Sequence, residues 1–365
     1  MAEYNGLIPM DQHPVKESLP HWMYGSIVDN KKVIDRVMHY GCFTLGYDQP
    51  DIVKSVCKTL RNIKPEIADI KDGSDKLRLN SQTFKLQEEL YKLTNFHSFY
   101  ALSGSDANEG AIKLASAYHH VQGNNNKKYI LSISPSYHGS TYLTSAVGCD
   151  TVMDDPFYTL SKPDNICRID RSYLTAGLLD NHDWDSVSTI ILETCPQSNY
   201  IEPFTNEFWF NIARIQHTYD VVVIIDDILM GGGKTGTYVG WKDFPIVPDI
   251  CTMGKAITGG FFPLSVTLYS QKIKDSLPKD FRWQHGYTYS FSIAGIASAL
   301  EYLKLLDLKQ YKDIMKEAKK ILDKYTVTNF GNYFYINVNK EDRLYMIPLN
   351  ASEEYFKILH DEVNK

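Results

Sequence analysis

Metals, membranes and nucleic acids find little to work with in this chain. Its 11 histidines contain no H-x-x-x-H pair and its six cysteines no C-x-x-C pair, so the spacings that mark a metal site are missing. Positive charge is not in excess: 38 Lys and Arg stand against 44 Asp and Glu, a formal net charge of −6. That argues against a broad electrostatic footprint for nucleic acid or an anionic membrane. No stretch approaches the roughly 18 uninterrupted apolar residues of a transmembrane helix. The first residues, MAEYNGLIPMDQHPVKESLP, have no apolar run behind a basic start, so no secretory leader is expected. Cys42, Cys57, Cys149, Cys167, Cys195 and Cys251 are scattered and read as reduced thiols of a cytoplasmic protein. Internal repeats and low-complexity tracts are also absent.

What is present is a globular composition. The 365 residues are 43% hydrophobic and include 25 tyrosines, enough for a large core and two domains. Short β-rich runs alternate with helical patterns: FHSFYAL (96–102), KYILSIS (128–134), STIILE (188–193), DVVVIID (220–226), DICTMG (249–254) and LSVTLYS (264–270). SDANEGAIKLASAYHH and TNEFWFNIARIQHTY carry the helical period. Several strand runs are continuously apolar, as strands buried on both faces are. The expectation is an α/β fold with a largely parallel sheet. Past residue 291 come consecutive helices, two strand runs (NYFYINV and RLYMIPLN) and a closing helix, SEEYFKILHDEV, a smaller α+β unit. The reading is therefore residues 1–45 as a segment packing on the small domain, 46–290 as the large domain and 291–365 as the small one. GNNN at 123–126 reads as an exposed loop.

GGGKTG at 231–236, behind VVVIIDD, imitates a phosphate-binding loop. The first glycine of G-x-x-x-x-G-K-[ST] falls on Ile228, however, and the strand that should follow the loop precedes it. TGTYVGW after Lys234 is a poor helix start, so the phosphate cradle is missing.

Four other segments carry chemistry. LSGSDANEGAIKLA sets Gly104 and Ser105 at a helix start, where free N–H groups attract an anion; Ser103 with Asp106, or Ser105 alone, could equally be an ordinary cap. VVVIIDD ends a strand with Asp226 and Asp227, which alternation sends to opposite sides. A carboxylate there lies where open α/β sheets bind ligands, and a cationic ring nitrogen would offset its burial. SPSYHGST puts Tyr137 and His138 after another strand, where an aromatic could stack on a planar ligand or simply pack. TMGKAITGG gives Lys255 glycine neighbours, room for an amine that must lose its proton and swing.

Taken together these segments resemble the class III aminotransferases, pyridoxal-phosphate enzymes of fold type I. SGSDANEGAIKLA is similar to the family's SGSEANExAxKLA, YHGST to YHG-[RST]-T, IIDDILMGGGKTG to DEVxTGfGRTG, PDICTMGKAITGGFFPLS to PDIxxxGKALgGGxPLS, and HGYTYS (285–290) to HGxTYSG. Lys255 follows Asp226 by 29 positions, a separation similar to the family's. The resemblance covers roughly residues 40–305. It implies a mostly parallel seven-stranded sheet flanked by helices, and a homodimer with active sites at the interface. Pyridoxal 5'-phosphate is the cofactor implied. Lys255 would hold it as a Schiff base and carry protons, Asp226 would pair with the ring nitrogen, and Tyr137 and Ile228 would face the two sides of the ring. Gly104 and Ser105 would take the phosphate, with Thr288 reaching that of the neighbouring subunit; Glu193 and His138 would lie close by. The reaction implied moves an amino group from an amine or amino acid to an oxo-acid or aldehyde by ping-pong turnover. Aminomutases, epimerases, decarboxylases and a non-catalytic binding homologue share the scaffold and stay open. Many members place a substrate-binding arginine before the last strand. Here Val338 stands near that place and Arg343 follows.

Overall fold

The computed structural model describes residues 35–63, 81–148, 163–172, 182–196 and 202–364. Seven strands form the main sheet: β1 (His97–Ala101), β2 (Tyr129–Ser134), β3 (Ile166–Asp170), β4 (Val187–Glu193), β5 (Val222–Asp226), β6 (Ile250–Met253) and β7 (Ser265–Tyr269), in the order β1-β7-β6-β5-β4-β2-β3. β6, β5, β4, β2 and β3 pair in parallel, while β7 runs antiparallel to both β1 and β6. Six strands thus point one way and end at the same edge, the edge at which open α/β sheets take ligands.

β4, β5 and β6 are buried along their whole length. Their unbroken apolar runs follow from cover on both faces. Val223 and Ile225 join the core beneath Phe208, Trp209 and Ile212; Val222 and Ile224 join the opposite core, with Ala111, Leu114, Ala115 and Tyr118. The helices are α1 (Pro50–Arg61), α2 (Ser81–Thr94), α3 (Gly104–Val121), α4 (Tyr142–Val147), α5 (Asn206–Tyr219), α6 (Gln271–Ser276), α7 (Ile293–Leu305), α8 (Tyr311–Leu322) and α9 (Glu353–Val363). Proline at the first position of α1 costs no hydrogen bond and presets the helical φ. The 123–126 loop is largely exposed, as expected.

β8 (Thr326–Phe330), β9 (Tyr333–Val338) and β10 (Glu341–Met346) form a second, antiparallel sheet in the order β10-β9-β8. Ile314, Met315, Ala318 and Leu322 of α8 and Leu359 and Val363 of α9 cover one of its faces. The other face sends Tyr333 and Met346 into a cluster with Met38, Cys195 and Met230. α7, on the C-terminal side of residue 291, places Ile296 and Ala299 in the main core.

Residues 35–47 form a strap tied to the end of the small sheet. Arg36 O accepts from Met346 N at 2.7 Å and Thr44 O from Leu349 N at 2.8 Å. Most of the expected 1–45 segment, residues 1–34, lies outside the described residues. Among the described residues no helix is long and apolar enough to cross a membrane.

Candidate active site

Five segments converge at the shared edge of the main sheet. β5 delivers Asp226, only 6% exposed. Its Oδ2 accepts from Asn108 Nδ2 at 2.7 Å and lies 2.9 Å from His138 Nδ1; its Oδ1 accepts from Ile228 N at 3.1 Å. Asn108 is itself fixed, donating to His138 O at 2.8 Å and accepting from Thr252 Oγ1 at 2.7 Å. Asp227 turns to the opposite side, where Thr194 Oγ1 and Gly240 N donate to it at 2.6 and 2.8 Å. The alternation read from the sequence is therefore what the strand does. Glu193 ends β4 in register with Asp226 and is buried.

β6 delivers Lys255. Thr252 is in register with Asp226, and one more turn of chain brings Lys255 to the start of a short 3-10 helix, at φ 47°. Burial pushes the amine's pKa down, opposed by Cys42, Asp226 and Glu193. Gly254 keeps space here: a Cβ on it would sit 2.6 Å from Ser265 Oγ and 3.4 Å from Ile228 Cγ2.

β1 leads into α3. Ser103 is the cap, its hydroxyl accepting from Asp106 N at 3.2 Å, so the capping alternative holds for Ser103 and leaves Ser105 for other work. Ser105 Oγ accepts from Ser140 N at 3.0 Å. Gly139 sits at φ 130°, and a Cβ there would come within 2.8 Å of Ser105 Cα; one on Gly104 would meet Ile228 Cδ1 at 2.7 Å. The loop at 139 and the side chain of Ile228 thus close on the helix start only because Gly139 and Gly104 lack side chains. Tyr137 stands beside them, 43% exposed, its hydroxyl 3.0 Å from Ser140 Oγ. The Nε2 of buried His138 has no partner among the described residues.

Two residues of the sequence reading stand apart from this cluster. Arg343 lies on β10 and pairs with Glu341 at 2.9 Å, so it is engaged on the small sheet. Thr288 lies in an exposed segment held to α3 through His285 Nε2, 3.1 Å from Asp106 Oδ1.

Sequence reasoning passed over Asn108, Thr252 and Lys234. Lys234 was set aside with the imitation phosphate loop. Turns rather than a helix follow it, yet the side chain is fully buried, with Nζ donating to Gly231 O at 2.9 Å. Burial, with Lys255 adding to it, pushes its pKa down to about 7. Only the burial, which the sequence does not display, marks this lysine out.

Comparison with known proteins places the chain. The model of the class III aminotransferases matches residues 11–327. An acetylornithine aminotransferase of Haemophilus ducreyi is 25% identical over 295 residues, 80% of this chain and 71% of that protein. A gamma aminobutyrate transaminase 2 of Solanum lycopersicum is 26% identical over 345 residues, covering 85% and 72%. In structure, the PLP-bound form of an amine transaminase from an uncultivated Pseudomonas species superposes over all of this chain and 98% of its own, with TM-score 0.80 at 18% identity.

Proposed function

The chain belongs to the class III aminotransferases, enzymes that use pyridoxal phosphate, and from that premise we propose that Lys255 and Asp226 run its transamination. The observation that carries the proposal is their placement: a half-buried amine of lowered pKa and a buried carboxylate at the ends of adjacent strands.

The residues present fit the cofactor. Asp226 is a buried carboxylate held by neutral donors and suited to a cationic ring nitrogen. The helix start at Gly104 and Ser105 offers N–H groups to a phosphate, in a cradle that a Cβ on Gly139 would close. When bound, pyridoxal phosphate supplies an aldehyde to take up the amino group and a cationic ring to draw off electrons.

With the cofactor bound, Lys255 Nζ would be the amine that holds it and, once displaced by the donor, the base that takes up and returns the donor carbon's proton. Asp226 would pair with the ring nitrogen, and Asn108 and His138 hold Asp226. Tyr137 and Ile228 would flank the ring. An oxo-acid or aldehyde acceptor would then receive the amino group, with Lys255 again carrying the proton. Thr288, exposed in the single chain, is assigned to the phosphate of a second copy, which makes the enzyme a homodimer with shared sites. Residence in the cytoplasm belongs to the same proposal and rests on the five free described cysteines.

The test is a half-reaction. Protein loaded with pyridoxal phosphate should lose its visible absorbance on addition of an amino donor alone and regain it with an oxo-acid. Loss without recovery, or no change with any amine, sinks the reading. The phosphate cradle is tested separately. Gly139→Ala puts a Cβ against Ser105 backbone at a φ that disfavours it, whereas Gly104→Ala meets only the end of a flexible isoleucine. Titration with pyridoxal phosphate should show Gly139→Ala weakening binding at least about tenfold, and Gly104→Ala by less.

A further inference from the structure

The transamination machinery leaves Lys234 without a task. A cation sealed from water is costly unless an anion or several acceptors meet it. Its one hydrogen bond among the described residues goes to a neutral carbonyl, that of Gly231. Asp227, a carboxylate whose charge it feels, already accepts from Thr194 and Gly240.

A second unmet group lies in the same place. Tyr333 is completely buried and its hydroxyl has no partner among the described residues. Gly41 marks the meeting point: a Cβ on it would sit 2.3 Å from Tyr333 Oη and 3.5 Å from Lys234 Cε. Gly41 closes an unusual stretch, Met38, His39 and Tyr40, all at positive φ (45°, 50° and 56°), with Gly41 itself at 78°. L-residues adopt this conformation reluctantly, and such strain gathers at ligand clamps. Next comes half-buried Cys42, which feels the charges of both Lys255 and Lys234.

The cluster abuts the reacting lysine. A Cβ on Gly232 would meet Ala256 Cβ at 2.8 Å, so the loop carrying Lys234 packs on the turn carrying Lys255. Tyr302 ties the strap to that loop, its hydroxyl donating to Gly232 O at 2.5 Å and lying 2.9 Å from Thr44 Oγ1. The one arginine singled out as a substrate anchor, Arg343, is engaged with Glu341 on the small sheet.

We propose that Lys234 Nζ and Tyr333 Oη form the seat for the substrate's carboxylate, beneath the strap at Gly41 and Cys42. A carboxylate gives the ammonium its anion and the phenol its acceptor in one group. The proposal rests on the transaminase reading above and names its substrate class: amines that carry an acid group within a few carbons of the reacting nitrogen.

The test uses glutarate, which has the acid but no amine to react. Calorimetry on protein loaded with pyridoxal phosphate should show glutarate binding to the unaltered chain. Lys234→Met should weaken it at least tenfold, and Tyr333→Phe should weaken it several-fold, with melting midpoints confirming that both variants fold. Unchanged affinity in Lys234→Met, or no binding to the unaltered chain, overturns the proposal. Butylamine, which has no acid group, checks the underlying reading apart from this. If it bleaches the loaded protein while glutarate fails to bind, transamination stands and the acid seat falls.

Discussion

Lys255→Ala is expected to lower turnover by about 10⁴-fold, the upper end of what a positioned acid–base group contributes, since it removes the cofactor's covalent attachment as well as the base. A lysine in water holds its proton to a pH near 10.4 and is a poor base below that. Enclosed beside β5 and β6, Lys255 has its pKa pushed down, the direction a base needs. Alanine at that position leaves Asp226, Ser105 and Tyr137 where they are, so cofactor affinity should fall but not vanish. Single-turnover kinetics with a loaded variant separates the two effects. Substantial turnover in Lys255→Ala would mean that another amine does the work.

Asp226→Ala is expected to cost about 10²–10³ in turnover, the usual effect of removing one preorganised charge from a water-excluded site. It should also destabilise the fold, unlike the lysine change. Asn108 Nδ2 and Ile228 N donate to this carboxylate, and His138 Nδ1 lies at hydrogen-bond distance from it. Each buried group left without a partner costs roughly 1–3 kcal/mol. Asp226→Asn separates the two losses, since it keeps an acceptor oxygen and removes the charge. Turnover should stay low in Asp226→Asn while the melting midpoint recovers part of its loss. Equal turnover in the unaltered chain and Asp226→Asn would contradict a role for the charge.

The main sheet was legible because its central strands are buried on both faces and spell continuous apolar runs. STIILE and DVVVIID leave little else to be. The edge strand β3 was not legible: ICRID is short, half-exposed and interrupted by Arg168, which donates to Ala146 O. β8 hid for a similar reason, TVTNF being mostly half-buried. α1 and α2 went unread because only a few residues of each, such as Ile52 and Val56 or Leu86 and Leu90, reach the core.

At the site, Asp226, Lys255, Gly104, Ser105 and Tyr137 could be named from turn chemistry and motif order. Each sits at the end of a strand that announces itself. Asn108 and Thr252 could not, because Asn108 bonds Asp226 and Thr252 bonds Asn108 across three elements, a relation with no local pattern. Lys234 was hidden by a likeness: its glycine run suggested a phosphate loop, and only the packing of Gly41, Tyr333 and the Lys255 turn around it points elsewhere.

The measurement closest to the central claim is borohydride reduction of the chain loaded with pyridoxal phosphate, followed by peptide mapping. Lys255, half-buried, and Lys234, fully buried, are both amines of lowered pKa, so either is chemically capable of holding an aldehyde. The fixed label should appear on the peptide containing Lys255 and nowhere else. Label on Lys234, or on neither, would contradict the account.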